Sequence, residues 1–368
     1  MKVQFNREGL SQALALLTSV VPDRTPKPIL RCVKIDAAKD SVRVYGTDLE
    51  VGINYLLSAV DVKETGQAVV PAARLAAVVR ESADETLLLH ADKGLCEVRG
   101  ADSHFSIYGQ EPSQYPPVPV FAGEPDAEVL LDNLRIGIEQ SLFATAREST
   151  RYAINGVLWE MKGKKLTLVA TDGRRLARTR VNLVGNPSEK AASSKLIVPA
   201  KTMALLAKLT GGEKDKVAVR LVDNQIMFAA GPVVVCSSLV EGNFPKYEDI
   251  IPADYQKKLT LPTDVVLSAV RRAALLTSEE SRGIKVAVSK NKLVFSGKAP
   301  ETGDAEVDVA VEYGGEPVEI GFNPQFLADC LRVIHEPQFE LELGQPDTPG
   351  VIKAGANFLY VLMPISLS

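Results

Sequence analysis

Apolar residues recur at intervals of three or four positions near the start of each third of the chain. The three stripes are Leu10, Leu14, Leu17 and Val21; Leu134, Ile138 and Leu142; and Val266, Val270 and Ala274. This spacing places the apolar side chains on one face of a helix with 3.6 residues per turn. The pattern predicts an amphipathic helix that opens each third.

Two further patterns repeat about 125 residues apart, which is typical of domain duplication. The first is a strand that leads into a turn, in Val44–Asp48, Leu168–Asp172 and Leu293–Gly297. The second is a strand end that runs into another helix, in Val70–Leu75, Val198–Met203 and Gly321–Phe326. Pro71 and Pro199 suit the first helical turn, where a missing N–H costs nothing. The six helices that these patterns predict are 7–20, 71–81, 132–147, 199–209, 263–277 and 324–333.

Between these landmarks, apolar and polar residues alternate, as in Val217, Val219 and Leu221, which is typical of half-buried strands. Each third therefore reads as two helices with several antiparallel strands, an α+β unit. Stiff, Pro-rich connections at 115–119 and 244–252 indicate the joins. We predict three domains at 1–125, 126–255 and 256–368.

The composition is that of a soluble globular protein, with 46% hydrophobic and 24% charged residues. The chain has no run of 18 apolar residues, so we expect no membrane span and a cytoplasmic location. Cys32, Cys96, Cys236 and Cys330 are scattered, and only three histidines could join them. We therefore expect buried free thiols, no metal site and no cofactor.

Charge is unevenly distributed. The six predicted helices hold ten basic and six acidic residues, a net +4, while the whole chain is −4, so the remainder carries −8. Exposed helix faces that simply carry solvated charge would explain this excess. A basic surface that attracts phosphates would explain it equally well. Composition alone favours the first explanation.

Signatures of common enzymes are absent. The sequence contains no G-x-x-x-x-G-K-[ST] phosphate loop, no G-x-G-x-x-G and no G-x-S-x-G. Asp172-Gly173 could hold a catalytic carboxylate, but an Asp-Gly pair between strands is more often a turn. An enzyme with an unrecognised site remains one alternative, and it requires a cleft with convergent titratable groups.

Two stretches carry a family resemblance, Arg151–Leu158 with Ala170–Ala177, and Tyr360–Ile365. Shorter matches in the same order run along the whole chain: Arg24 before Pro28–Leu30, Gly46–Glu50, Glu241–Pro245, Ser281–Gly283 and Gly321–Asn323. Together they resemble the beta subunit of bacterial DNA polymerase III, the sliding clamp. Each motif is weak alone, but their order and spacing over three repeats are specific.

This resemblance implies a processivity factor that is not itself an enzyme. It implies a head-to-tail homodimer of three-domain chains that closes into a ring around double-stranded DNA, with twelve helices lining the hole. The expected partners are the catalytic subunit of the replicative polymerase, an ATP-driven clamp loader, and other proteins of replication and repair that carry the clamp-binding motif. DNA contacts would be non-specific, with retention by topology.

The resemblance also implies site residues. For DNA these are Arg24, Arg74, Tyr152 and Lys201. For the dimer interface they are Phe105, Leu275 and Leu276, with Arg74 opposite Glu301, Asp304 and Glu306. For a peptide pocket they are Ile154, Thr171, Gly173, Arg175, Leu176, Pro245, Ile250, Phe326, Val361, Met363, Pro364 and Ile365. Tyr152 could equally pack in a strand, and Ile154 and Val361 could be core.

The sequence departs from the family pattern at Ala153, Arg174, Asp249, Ser281 and Ser366. These positions lie at the rim of the implied pocket, so they affect which peptides it prefers. A second alternative is a three-domain adaptor that binds only proteins, which would share the pocket yet need no basic helical layer.

Overall fold

The computed structural model describes residues 1–58, 60–147, 153–253, 255, 257–277, 283–300 and 303–366. Tyr152, Ser281 and Glu301 lie outside the described residues. The chain divides into two compact units. The first comprises Met1–Asp132, Leu183–Ala191 and Ala204–Leu239, and the second comprises Asn133–Asn182, Ala192–Met203 and Val240–Ser368.

Seven α-helices lie in the described residues: α1 Arg7–Thr18, α2 Ala72–Glu81, α3 Leu131–Leu142, α4 Glu189–Ser193, α5 Ala200–Leu206, α6 Thr263–Ala273 and α7 Pro324–Arg332. All six predicted helices are confirmed, and each begins within one residue of its predicted start. The short α4 was not predicted. Pro71 and Pro199 are the last residues of strands, directly before α2 and α5, so their predicted place inside the first helical turn is wrong.

Five of the six predicted helices end earlier than the apolar pattern predicts, and α2 ends at its predicted residue, Glu81. Helix α3 ends at Leu142, where the hydroxyl groups of Ser141 and Thr145 bond to the backbone carbonyls of Gly137 and Leu142. Such bonds compete with the helical backbone ladder. Arg147 and Lys208 consequently lie outside α3 and α5. The predicted difference in net charge between the helices and the rest of the chain is therefore too large. The observed helices carry a net +2, since α4 adds one charge of each sign, which leaves −6 for the remainder.

The strands are β1 Lys2–Asn6, β2 Cys32–Ala37, β3 Val42–Thr47, β4 Val51–Leu57, β5 Val60–Glu64, β6 Gly66–Pro71, β7 Thr86–Asp92, β8 Leu95–Arg99, β9 His104–Tyr108, β10 Ala127–Leu130, β11 Gly156–Lys162, β12 Lys165–Thr171, β13 Arg175–Asn182, β14 Lys195–Pro199, β15 Lys216–Val222, β16 Gln225–Ala230, β17 Val233–Ser238, β18 Lys257–Pro262, β19 Ile284–Ser289, β20 Lys292–Ala299, β21 Gly303–Ala310, β22 Val318–Phe322, β23 Gln338–Leu343, β24 Gly350–Ala354 and β25 Phe358–Leu362. Their pairings in the described residues are antiparallel. The predicted α+β class is thereby confirmed.

Each compact unit contains two sheets. In the first unit they have the strand orders β5-β1-β7-β8-β9 and β10-β15-β16-β17-β4-β3-β2-β6. In the second unit the orders are β14-β11-β12-β13-β25-β24-β23-β18 and β21-β20-β19-β22. Both eight-stranded sheets join strands from neighbouring thirds of the chain, through β17–β4 and β13–β25. The compact units therefore cut across the predicted domain boundaries, which stay a prediction.

The third predicted strand–turn copy is wrong. Strand β20 runs through Ser296 and Gly297 to Ala299 without turning. Gly297 serves a different purpose, because a Cβ there would lie 2.3 Å from the carbonyl oxygen of Ala273 at the end of α6. This glycine permits close approach of helix and strand rather than a turn. Within the described part of the chain, every helix is too short or too polar to cross a membrane.

Candidate functional site

The turn between β12 and β13 is held by its own side chains. The hydroxyl of Thr171 donates to the carbonyl oxygen of Arg175 (2.7 Å) and accepts from the amide of Gly173 (3.1 Å). One carboxylate oxygen of Asp172 accepts from the amides of Arg174 (2.9 Å) and Arg175 (3.0 Å). Gly173 has φ +85° and is exposed. The backbone is fixed in a conformation that favours glycine.

Arg175 links this turn to α7. Its Nε donates to Asp172 (3.0 Å), and its terminal nitrogens donate to Asp329 (2.9 Å) and to the carbonyl of Phe143 (2.7 Å). The guanidinium lies 4.2 Å from the ring centroid of Phe326, in cation–π contact. Burial is the largest single effect and lowers the pKa of Arg175, but the hydrogen bond to Asp329 and the charges of Tyr360 and Asp172 outweigh it, so the pKa is raised. Arg175 and Phe326, both predicted to line a peptide pocket, are thus engaged within the protein.

The pairing of β13 with β25 brings together the predicted apolar residues. Leu176 lies opposite Val361, and the amide of Met363 donates to the carbonyl of Arg174 (2.9 Å). Leu176 and Val361 are each only 1% exposed and pack in a core cluster with Ala153. They form a buried floor rather than a contact surface. Ile154 is also buried.

Apolar surface is available beside this floor. Met363 and Ile250 are each 39% exposed, although both are large hydrophobic residues. Pro245, Pro364 and Ile365 are half-buried. Met363, Pro364 and Ile365 border a cavity of about 710 Å³, whose polar lining includes Lys285, Glu319 and Asp347. An exposed methionine can adapt its shape to varied apolar ligands.

The segment that follows Val240 packs on the same floor. Val240, Phe244 and Ile251 contact the core cluster, and Tyr247 belongs to it. The Tyr247 hydroxyl donates to a carboxylate oxygen of Glu160 (2.6 Å). Burial, followed by this bond to Glu160, raises the pKa of Tyr247. The segment that carries Pro245 and Ile250 is therefore anchored to the sheet by both apolar contact and a charge-assisted hydrogen bond.

The departures from the family pattern have different surroundings. Ala153 belongs to the buried cluster, whereas Arg174, Asp249 and Ser366 are exposed. Ser281 lies outside the described residues. The rim therefore exposes a cation and a carboxylate next to the apolar surface of Met363 and Ile250.

The predicted DNA residues lie in both units. In the first unit, Arg24 is exposed in the loop before Pro28, and Arg74 is exposed on α2. Arg74 borders a cavity of about 330 Å³ together with Pro22, Asp23 and Arg31. In the second unit, Lys201 is exposed in the first turn of α5. Tyr152 lies outside the described residues.

The predicted interface residues lie on edge strands or next to one. Phe105, 39% exposed, is on β9, the last strand of its sheet. Asp304 and Glu306 are exposed on β21, an edge strand of a sheet in the second unit. Leu275 is 77% exposed in the 3₁₀ turn Ala274–Leu276 after α6, and Leu276 is half-buried there. Edge strands present unpaired backbone groups to a partner. Glu301 lies outside the described residues.

The sequence did not indicate which residues position the site. Asp329 binds Arg175 from α7, one turn after Phe326, and Asp172 binds it from the turn. The repeated Thr-Asp pair at Thr47-Asp48 and Thr171-Asp172 was the available signal for Asp172. Among the described residues, no cluster of three or more His, Cys, Asp or Glu side chains is arranged to hold a metal ion.

Comparisons with known proteins match the whole chain. The DNA polymerase III beta subunit family matches in three stretches, with its N-terminal domain at residues 1–119, its central domain at 128–246 and its C-terminal domain at 248–366. The beta sliding clamp of Pseudomonas aeruginosa is 31% identical, with 100% of both chains covered. The beta sliding clamp of Chlamydia muridarum is 27% identical, over 100% of this chain and 99% of the relative.

Solved structures agree with these sequence matches. A crystal structure of the P. aeruginosa sliding clamp bound to griselimycin has a TM-score of 0.92 at 30% identity, with 100% of both chains covered. A structure of the C. crescentus beta sliding clamp has a TM-score of 0.91 at 31% identity, over 100% of this chain and 99% of that chain. The three-domain fold implied by the sequence is thus confirmed, and the chain belongs to the DNA polymerase III beta subunit family of sliding clamps.

Proposed function

We propose that this protein is a processivity clamp that encircles duplex DNA, slides along it and tethers the replicative polymerase through a peptide pocket. The full-length match to the three consecutive clamp domains is the observation that carries the proposal. The clamp works without a catalytic site of its own. Its contribution is to keep a polymerase near the primer end, which raises the effective concentration of the enzyme there.

The ring forms from two chains in head-to-tail contact. Phe105 on the β9 edge and Arg74 on α2 of one protomer meet the partner's Leu275 and Leu276 and the acidic edge of Glu301, Asp304 and Glu306. Phe105 and Leu275 are exposed apolar residues, one on each of the two surfaces. Arg74 on one surface and Asp304 with Glu306 on the other are exposed and opposite in charge, which supports this pairing. A heterologous contact either closes into a ring or propagates as a filament. Closure after two protomers gives the six-domain ring.

DNA passes through the ring by non-specific contact. Arg24, Arg74, Tyr152 and Lys201 bind phosphates, which position a protein but carry no sequence information. Affinity from such contacts is weak, about 10⁻⁴–10⁻⁶ M at physiological salt. Topology must therefore supply the retention, and weak contacts leave the ring free to slide. An ATP-driven clamp loader opens the ring.

The peptide pocket is the surface of Met363, Ile250, Pro245, Pro364 and Ile365 over the floor of Leu176 and Val361. Thr171, Gly173 and Arg175 shape its turn, and Ile154 and Phe326 support it from within. It takes a short segment carrying Gln and large apolar residues from the polymerase catalytic subunit, the clamp loader and other replication or repair proteins. The exposure of Met363 and Ile250 supports this assignment.

Primer extension on a primed circular template tests the tethering role. With clamp loader and ATP, the protein should lengthen the products made in one polymerase binding event. Met363→Glu places a charge on the pocket surface and should abolish the gain. Leu49→Glu changes a leucine that is 51% exposed in the first unit and should leave the gain intact. Equal products with and without the wild-type protein would contradict the proposal.

A further inference from the structure

Arg178 is a half-buried guanidinium on the same face of β13 as Leu176. It lies opposite Val169 on β12 and Leu359 on β25, and both of these neighbours belong to the buried apolar cluster around Leu176. Two residues along a strand span about 7 Å. A positive charge thus lies about 7 Å along β13 from the pocket floor at Leu176, between two apolar cross-strand neighbours.

This guanidinium lacks a partner among the described residues. Its Nε is sealed from solvent and has no hydrogen-bond acceptor, and no carboxylate oxygen described in the structure lies within 4 Å of it. Burial first, and then the nearby Arg180, lowers the pKa of Arg178, while Tyr247 and Glu248 act in the opposite direction. A buried polar group without a partner costs free energy.

The carboxylates around it are engaged elsewhere. Glu160 accepts from Lys195 (2.8 Å) and from the Tyr247 hydroxyl (2.6 Å). Glu248 is exposed next to Tyr247, and its charge raises the pKa of Arg178 although the two side chains form no ion pair in the described structure. The protein therefore supplies a cation next to the pocket floor and leaves its counter-ion to come from outside.

We infer that Arg178 is a specificity-determining residue of the peptide pocket and that it selects partner segments with a carboxylate about four residues from the apolar anchor beside Met363. The inference rests on the proposed function, since it concerns the same pocket. The spacing follows from the register, because Met363 lies beside Arg174 and an extended peptide advances about 13 Å in four residues, as the chain does from Arg174 to Arg178. Arginine suits this role, since its planar fork binds a carboxylate through two donors.

Calorimetric titration with designed peptides tests this. The parent peptide carries Gln, Leu and Phe with neutral residues between, and single Glu residues are placed at each remaining position, each with a Gln counterpart. The wild-type protein should bind one Glu peptide at least about fivefold more tightly than its Gln counterpart, the gain expected of one ion pair. The preferred Glu should lie four residues from the apolar anchor, and the preference should shrink at high salt.

Variants assign the preference to Arg178. Arg178→Gln should bind the Glu and Gln peptides equally and hold the Gln peptide as tightly as the wild type does. Lys195→Gln is the matched control, because it also removes one positive charge from this face of the sheet. Lys195 is already paired with Glu160, so the preference for the Glu peptide should persist in this variant. Glu248→Gln removes the competing carboxylate and should increase the preference.

The outcomes separate this inference from the proposed function. If the Gln peptide binds but no Glu position is preferred, or if the preference persists in Arg178→Gln, the role of Arg178 is wrong and the pocket stands. If none of the peptides binds the wild-type protein, the pocket itself is wrong.

Discussion

Leu49 and Gly173 occupy the same position in two copies of one turn, with φ +83° and +85°. The hydrogen bonds around them match one for one. The Thr47 hydroxyl donates to Val51 and accepts from the amide of Leu49, and Asp48 accepts from the amides of Glu50 and Val51. Thr171 and Asp172 make the corresponding bonds around Gly173. The Thr-Asp pair fixes the turn strongly enough for one copy to hold a leucine in a left-handed conformation.

Gly173→Ala should lower the free energy of unfolding by about 1 kcal/mol, because a side chain at this φ is strained. No atom lies within 4 Å of an added Cβ, so the loss would be conformational rather than steric. Gly314→Ala is the control, since it also meets no atom and has no positive φ. Urea unfolding should show Gly314→Ala unchanged or slightly stabilised. Equal behaviour of the two variants would refute the strain argument.

Arg175→Met should destabilise the protein by about 2–4 kcal/mol, because it leaves Asp172 and Asp329 partly buried without their cation. The neighbouring Arg174→Met removes the same charge from an exposed position and should stay within about 0.5 kcal/mol of the wild type. Urea denaturation curves measure both. Similar losses in the two variants would mean that Arg175 does not hold the turn to α7.

The four cysteines should be unreactive in the folded protein. All are buried, and burial raises the pKa of Cys32 to about 11, of Cys96 to about 12 and of Cys236 to about 11, and also raises that of Cys330. At pH 8, a disulfide exchange reagent should label no thiol before unfolding and all four in denaturant. Rapid labelling of the native protein would contradict this.

The same thiols give a pH dependence with a definite sign. Each has a folded pKa above its unfolded value near 9.0, so its contribution to stability is complete below pH 9. Unfolding releases protons above that pH, and the free energy of unfolding should therefore fall between pH 9 and 12. Replacing Cys96 with Ala should make the slope in this range shallower.

The sequence predicted the helix starts well because an apolar stripe or a strand end marks each of them, and α1 and α7 also have a capping side chain. Asn6 and Asn323 show this, since their side chains accept from the amides of Gly9 and Gln325 in the first turns. Five helix ends were missed because apolar periodicity continues beyond them, as in Ala274–Leu276, which forms a 3₁₀ turn. Apolar periodicity indicates which face of a helix is buried, but it does not indicate at which residue the helical backbone hydrogen bonds end.

For the candidate site, the sequence did not distinguish buried residues from exposed ones. Leu176 and Met363 look equally suited to a pocket wall in the sequence, yet one is 1% and the other 39% exposed. The difference arises from the segment after Val240, which packs on the floor and seals Leu176. Arg174 and Arg175 are likewise indistinguishable in sequence, and only Arg175 binds the distant Asp329 and the carbonyl of Phe143. Such roles depend on contacts between residues far apart in the chain.

Leu275→Asp should convert the ring to monomers, because it would bury an unpaired charge in the interface. Leu275 is 77% exposed in the single chain, so the folded protomer should tolerate the change. Leu49→Asp alters another exposed leucine, between the internal strands β3 and β4 of its sheet, and should remain dimeric. Light scattering at micromolar concentration measures the mass. A dimeric Leu275→Asp variant, or a monomeric wild-type protein at moderate salt, would argue against the ring.

The most direct test of the central claim is retention on DNA of two topologies. The protein is loaded by a clamp loader with ATP onto a nicked circle, and the sample is divided and half is linearised with a restriction enzyme. At moderate salt, where free protein does not bind detectably, gel filtration should recover the protein with the circle and not with the linear form. Blocking both linear ends with bound protein should restore retention. Equal retention on circular and open linear DNA would contradict encirclement.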